Sequence, residues 1–308
     1  MTDKARVSIE WLSGCSGCEM AIVDLHDKLL TVLGEIKLVR CPILMDTKDY
    51  VEAEIGLITG SLRTDHDIHA AKKMRKVCRT IVAFGTCPVY GGPQGACYPH
   101  STEELVRNSY VTNPSTRSSA PPQNVPALLD GNRPLDAEID VDLYIPGCPP
   151  HPSFILEALM ALLRGREPKI GRHNVCHGCN RTMAKTDVAK LRRTFEGDYD
   201  PKVCFLSQGC LCLGSATLDR CLAPCPQHGV PCFGCAGPSE AIILEPQKDL
   251  RTEVASRMAS LTKIPYEEVV RSIERQSKTI YAYAMASPVF RQKPTFLIKK
   301  WLKAERTA

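Results

Sequence analysis

Cys15 and Cys18 close a stretch, Trp11 to Cys18, that reads Trp-Leu-Ser-Gly-Cys-Ser-Gly-Cys. Two thiols at this spacing on a glycine-permitted turn can face one metal, serve as a redox dithiol, or pack as ordinary side chains. A helix starting there would favour their thiolate forms through its first amides. Cys87 stands in Gly-Thr-Cys-Pro and Cys148 in Gly-Cys-Pro-Pro, turn sequences that hold a side chain out from a rigid bend. The four together are an all-thiolate donor set, which permits zinc or an iron–sulfur cluster.

Nine further cysteines fall between residues 173 and 238, where Gly and Pro are frequent and sustained apolar periods are few. Spacing separates them into Cys176-x2-Cys179 with Cys204-x5-Cys210, then Cys221-x3-Cys225-x6-Cys232-x2-Cys235. These are two sets of four, and Cys212 is left over as an unligated thiol. Zinc ribbons repeat Cys-x2-Cys pairs about a dozen to twenty residues apart, whereas here closely spaced single cysteines lie between two distant pairs. That irregular wrapping favours clusters, and the stretch cannot owe its order mainly to a hydrophobic core. Cys41, Cys78 and Cys97 lack partners at ligand spacing and read as buried thiols.

The elements that must position these residues alternate in type. Strand patterns run over 7–12, 36–41, 55–59, 80–84 and 141–145, and helical apolar spacing runs over 20–33 and over 66–77, the latter capped by Thr64 or Asp65. A βαβ alternation predicts a doubly wound parallel sheet with helices on both faces, an α/β fold whose ligands gather beyond the carboxyl ends of the strands. Cys15 and Cys18 follow the first strand, Cys87 the fourth and Cys148 the fifth, so all four are expected at one sheet edge. Residues 99–134 read as a long insertion before the last strand. From 250 to 286 the pattern is again helical, broken at Pro265. The segment from Phe296 to Lys303 reads as a basic, apolar docking segment or packed terminus. The expected division is 1–168, 169–245 and 246–308.

Composition narrows the function. Among 308 residues, 44% are apolar and 24% charged, and the formal charge of +5 is spread along the chain, a weak case for nucleic acid. The chain opens on a strand pattern without a signal region, and no apolar run approaches the ~20 residues of a membrane span. A cytoplasmic location follows, where sixteen cysteines call for metal more than for disulfides. There is no phosphate-binding Walker loop, no Gly-x-Gly-x-x-Gly turn and no nucleophile with a placed His and acid. A zinc-stabilised scaffold or nucleic-acid-binding protein is the alternative from a different class.

The order Cys15-x2-Cys18, Gly-Thr-Cys87-Pro, Gly-Cys148-Pro-Pro and the two downstream sets resembles the small subunits of [NiFe]-hydrogenases, from the first strand to about Pro238. The run from Trp11 to His26 and the later Gly234 to Pro238 are most similar to the gamma subunits of the cytoplasmic, methanogen-type branch. Those enzymes do not reduce the deazaflavin and work with heterodisulfide reductase. Gamma subunits of deazaflavin-reducing hydrogenases and delta subunits of sulfhydrogenases are alternatives within the class. The quinone-reductase subunit of respiratory complex I resembles only the first domain and carries adjacent cysteines there.

The resemblance implies a flavodoxin-like domain followed by a loop-rich iron–sulfur domain and C-terminal helices. It implies three [4Fe-4S] clusters: proximal on Cys15, Cys18, Cys87 and Cys148; medial on Cys221, Cys225, Cys232 and Cys235; distal on Cys176, Cys179, Cys204 and Cys210. Cys176 replaces the His of periplasmic relatives, and Cys225 adds a thiolate that many of them lack. It also implies a nickel–iron large subunit as partner. A small iron–sulfur subunit and heterodisulfide reductase would take the electrons, in hydrogen oxidation that feeds methanogenesis. Glu19, next to Cys18, is a candidate proton relay or an ordinary acidic residue in a first helical turn. His26, His151, His173 and His177 are read as hydrogen-bonding or surface residues.

Overall fold

Strands β1 (Ala5–Trp11), β2 (Ile36–Arg40), β3 (Ala53–Thr59), β4 (Cys78–Phe84) and β5 (Leu143–Ile145) form a sheet in the order β2-β1-β3-β4-β5. Every pairing in it is parallel. The computed structural model describes residues 4–116, 120–287 and 289. Strand order reverses between β1 and β3, which is the flavodoxin-like switch point expected from the βαβ alternation.

Period-two alternation serves both faces of this sheet. Val82 and Phe84 turn to the face covered by helices α1 (Gly17–Val23), α2 (Asp27–Glu35) and α5 (Pro152–Leu163), where Ala21, Val32, Ile155 and Leu159 are buried. Ile81 and Ala83 turn to the other face, against Ala70, Ala71 and Met74 of α3 (Asp65–Val77). Phe84, Ile81 and Met74 are nearly inaccessible, and each such side chain contributes about 1.5–3 kcal/mol on burial. The start of α3 is fixed by a capping box: Thr64 accepts from the Asp67 N–H while Asp67 accepts from the Thr64 N–H.

Two local readings are refined by the structure. The apolar stripe over 20–33 belongs to two helices, with a break at His26, whose φ is 51°. Leu25 stays buried at that break, so a turn satisfies the apolar spacing as well as a continuous helix does. The 99–134 insertion contains helix Thr102–Val106 and strand Leu128–Arg133, which pairs antiparallel with Leu62–Thr64. Asn132 there is fully buried, donating to the Gly91 carbonyl at 2.6 Å and accepting from Ser61 Oγ at 2.8 Å.

The cysteine-rich stretch has more of a hydrophobic core than its aperiodic sequence suggests. Val175, Phe205, Leu206, Leu213 and Ile242 share one core with Val254 and Met258 of α6 (Leu250–Leu261) and with Val269 and Ile273 of α7 (Tyr266–Arg275). Loops present apolar residues without a period, so the pattern is invisible until the helices supply the other wall. Pro265 caps α7, as its position between two helical patterns implies. The segment from Phe296 to Lys303 lies outside the described residues.

Candidate metal centres

The first four cysteines meet at the carboxyl edge of the sheet. Cys15 lies on the turn leaving β1, Cys18 in α1, Cys87 in α4 (Thr86–Tyr90) directly after β4, and Cys148 directly after β5. Burial pushes the Cys18 thiol well up, and the neighbouring charges of Glu19, Cys87, Cys148 and Cys15 push it further. The Cys87 thiol is pushed up to about 11 by burial and by Cys15, and Cys148 to about 11 by burial, Cys87 and Cys15. Cys18, Cys87 and Cys148 each thus feel other members of the set, as buried thiols gathered at one edge do in the absence of a compensating cation.

Two glycines make room for these sulfurs. Gly85 adopts φ 105°, ψ 167°, a region that only glycine enters without strain, and a Cβ there would collide with Cys18 Sγ. A Cβ on Gly92, at φ 60°, would stand 2.5 Å from Cys87 Sγ. Gln94 ties the set together, accepting from Cys87 Sγ at 3.4 Å and donating to the Ser13 carbonyl at 3.2 Å. Glu19 is 5% exposed on the same side; its carboxylate accepts from Thr59 Oγ1, and its Oε2 has no hydrogen-bond partner. Burial raises its pKa above the ordinary carboxylate value.

A second set lies across a tight interface. Asp219 Oδ1 accepts from the N–H groups of Cys221 at 3.2 Å and Leu222 at 2.9 Å, fixing the turn that carries Cys221. Cys235 is pushed up to about 12 by burial and by the charges of Cys221, Cys148 and Cys225. Cys148 of the first set is therefore a neighbour of Cys235 in the second. Cys232 is buried beside Cys235, and burial is the largest cause of its raised pKa.

The third set, Cys176, Cys179, Cys204 and Cys210, lies close to the further thiol Cys212. Cys176 is pushed up to about 11 by burial and by Cys204 and Cys179. A Cβ on Gly214 would meet Cys176 Sγ at 3.3 Å and Cys212 Sγ at 3.7 Å, so both sulfurs border the same small space. Cys212 is pushed up to about 12 by burial and by Cys176 and Cys204, while the N–H groups of Gly214 and Cys232 favour its thiolate. The backbone of Cys210 bridges to Arg192, and its Sγ donates to the Leu211 carbonyl at 3.8 Å.

The donor chemistry at all three places is thiolate with no interleaved carboxylate or imidazole ligand, and it fits iron–sulfur ligation. The histidines beside the cysteine motifs have other engagements: His151 caps α5 by accepting from the Ser153 N–H at 3.2 Å, and His173 stacks on His177 with centroids 4.0 Å apart. Among the described residues no three His, Cys, Asp or Glu side chains crowd together as ligands of one ion would. Cys41 and Cys78 are buried in the sheet cores, as read from their isolation, and Cys97 is half-buried.

Comparison with known proteins bears directly on this arrangement. The G component of the vhu F420-non-reducing hydrogenase of Methanococcus voltae is 39% identical over 245 residues, covering 79% of this chain and 85% of that protein. The chain belongs to the [NiFe]-hydrogenase small-subunit family. Its counterpart in Methanocaldococcus jannaschii is 36% identical over 289 residues, 90% of this chain and all of that protein. A chain of an NAD+-reducing [NiFe]-hydrogenase solved in its H2-reduced state is 31% identical, with a TM-score of 0.52 over 55% of this chain and 96% of that one. The model of the NADH ubiquinone oxidoreductase 20 Kd subunit matches residues 15–162, the stretch that holds the first four cysteines and every strand of the parallel sheet except β1. The protein is thus an electron-transfer subunit of the hydrogenase type, and among its described residues no helix is long and apolar enough to cross a membrane.

The sequence pointed to twelve thiols but not to what surrounds them. Thr86, Gln94 and Asp219 all touch candidate ligand residues, and neither Gln94 nor Asp219 lies in a pattern that marks it. Thr86 alone had a local signal, as the residue before Cys87 in its turn.

Proposed function

We propose that this subunit carries electrons from hydrogen oxidation, one at a time, between a nickel–iron large subunit and a further iron–sulfur protein. It would do so through three [4Fe-4S] clusters and perform no bond chemistry itself. The observation that carries the reading is the placement of Cys15, Cys18, Cys87 and Cys148 at one sheet edge, with the turn before Cys148 joined to Cys235 of the next set through the Thr86 hydroxyl. When bound, such clusters supply one-electron chemistry over about −700 to +450 mV, set by their ligands and hydrogen bonds.

The residues would divide the work as follows. Cys15, Cys18, Cys87 and Cys148 hold the proximal group; Cys15 is exposed, on the face that a large partner would cover. Cys221, Cys225, Cys232 and Cys235 hold the medial group. Cys176, Cys179 and Cys204 hold the distal group with Cys212 as the fourth thiolate in place of Cys210. Support for that exchange is the shared border of Cys176 and Cys212 at Gly214 and the Cys232 N–H aimed at Cys212 Sγ, whereas Cys210 Sγ donates to the Leu211 carbonyl. Buried Glu19 is retained as a proton-handling group beside the proximal set. The division into 1–168, 169–245 and 246–308 follows the sheet, the cysteine loops and the terminal helices, and a cytoplasmic location suits the thiol-only sites. Heterodisulfide reductase, reached through a small iron–sulfur subunit, is the electron sink that the resemblance of the cysteine motifs implies.

The test is the metal and sulfide content of the native complex isolated anaerobically through this chain. About twelve irons and twelve sulfides per chain, with nickel in a larger co-purifying subunit, is the expected outcome. Iron and sulfide without nickel would move the wire to another oxidoreductase. Zinc with little iron would overturn the reading.

A further inference from the structure

Thr86 is 1% exposed and stands where two thiol sets meet. Its Oγ1 donates to the Cys235 carbonyl at 2.6 Å and accepts from the Gly147 N–H at 3.0 Å. Its own N–H donates to the Gly147 carbonyl at 2.8 Å. Gly147 precedes Cys148 and Thr86 precedes Cys87, so three ligand-bearing turns from three distant parts of the chain are joined at one hydroxyl. A hydroxyl has one proton to give and lone pairs to receive, and here both capacities are used on backbone groups that have been taken out of water.

We propose that Thr86 is the positioning residue that fixes the proximal thiolate set against the medial one and provides a hydrogen-bonded route between them, running from the Cys148 turn through Oγ1 to the Cys235 carbonyl. The proposal rests on the iron–sulfur reading of the two sets. Thr86 contacts the loops and not the ligand sulfurs, so it acts through Cys87, Cys148 and Cys235.

The surroundings give the hydroxyl little freedom. A Cβ on Gly91, at the end of the same helical turn, would stand 2.5 Å from Ala286, and one on Gly237, two residues past Cys235, would collide with the Tyr90 ring. The interface is thus packed to backbone contact on both sides of Thr86. Bond-like contact between ligand loops keeps two redox sites at a constant separation, and loss of one hydrogen bond there leaves a buried donor and a buried acceptor unsatisfied.

The experiment uses the native complex with Thr86→Val, which keeps shape and removes the hydroxyl, and Thr86→Ser, which restores it. Iron and sulfide are measured first, and electron paramagnetic resonance of the fully reduced protein then reads the spin–spin splitting between the two adjacent sites. The expected result is full iron in both variants, loss or marked change of the splitting in Thr86→Val, and recovery in Thr86→Ser. If Thr86→Val sheds iron, a Thr86→Ser complex that keeps its iron and the wild-type splitting supports the same role. Wild-type splitting in Thr86→Val, or an altered splitting in Thr86→Ser, overturns it. A wild-type complex without iron and sulfide would instead sink the underlying cluster reading, which separates the two failures.

Discussion

The backbone N–H of Cys232 donates to Cys212 Sγ at 3.2 Å. This places a thiol that spacing left unassigned against a cysteine of the neighbouring set, and an amide aimed at sulfur stabilises the thiolate form that binds metal. Cys210, two residues earlier, has its Sγ donating to the Leu211 carbonyl at 3.8 Å. The two substitutions are therefore expected to differ. Cys212→Ser replaces a soft donor with a hard one and should remove or alter one cluster, read as lost iron and a changed paramagnetic signal. Cys210→Ser should leave iron content and signals as in the wild type. The reverse result would restore the spacing-based partition.

Cys225→Ser should change the middle cluster alone. Cys225 is exposed and neighbours Cys221 and Cys235, not the first set's Cys15 or Cys18. Hydrogen–deuterium exchange catalysed by the large partner should survive while viologen reduction slows. Unchanged spectra of all clusters would show that Cys225 is no ligand.

Gly85→Ala tests the room left for Cys18. The backbone conformation alone costs a non-glycine residue about 1–3 kcal/mol, and the added methyl meets Cys18 Sγ. Both a lower denaturant midpoint and iron loss are expected. Gly165→Ala, at φ 61° with nothing within 4 Å of the added carbon, should show only the smaller backbone effect and keep its iron. Equal iron contents in the two variants would remove the steric argument.

Glu10→Ala tests a buried ion pair far from any thiol-binding role. Arg40 Nη2 donates to Glu10 Oε2 at 2.8 Å, Tyr50 Oη donates to the same oxygen at 2.6 Å, and the guanidinium lies 4.4 Å from the Tyr50 ring centroid. Removing one partner strands a buried charge, at a cost of about 3–5 kcal/mol. Chemical denaturation should show that loss, whereas a double replacement of Glu10 and Arg40 by apolar residues of similar volume should recover much of it.

The strands, the capped helix α3 and the shared sheet edge of Cys15, Cys18, Cys87 and Cys148 could be read from the chain, because alternation, capping residues and turn chemistry are local and repeat with known periods. The same locality explains the misses. The stripe over residues 20–33 reports which side chains face the sheet, and it is blind to the turn at His26 that leaves them facing it. The core shared by Phe205, Leu213, Val254 and Ile273 joins residues with no common period.

The order of residues along the chain dictates an inventory: sixteen cysteines, their spacing, and a parallel α/β sheet to carry the first of them. Cysteine spacing measures contour length, and contour length does not set the direction in which a thiol points. That direction was decided by contacts remote in sequence. The Arg192 N–H bonded to the Gly209 carbonyl at 2.9 Å fixes the backbone before Cys210, the Cys232 amide receives Cys212, and the Thr86 hydroxyl joins the Cys148 turn to Cys235. Folding in three dimensions is what brings those pairs together, because each closes a loop whose ends carry no mark of one another.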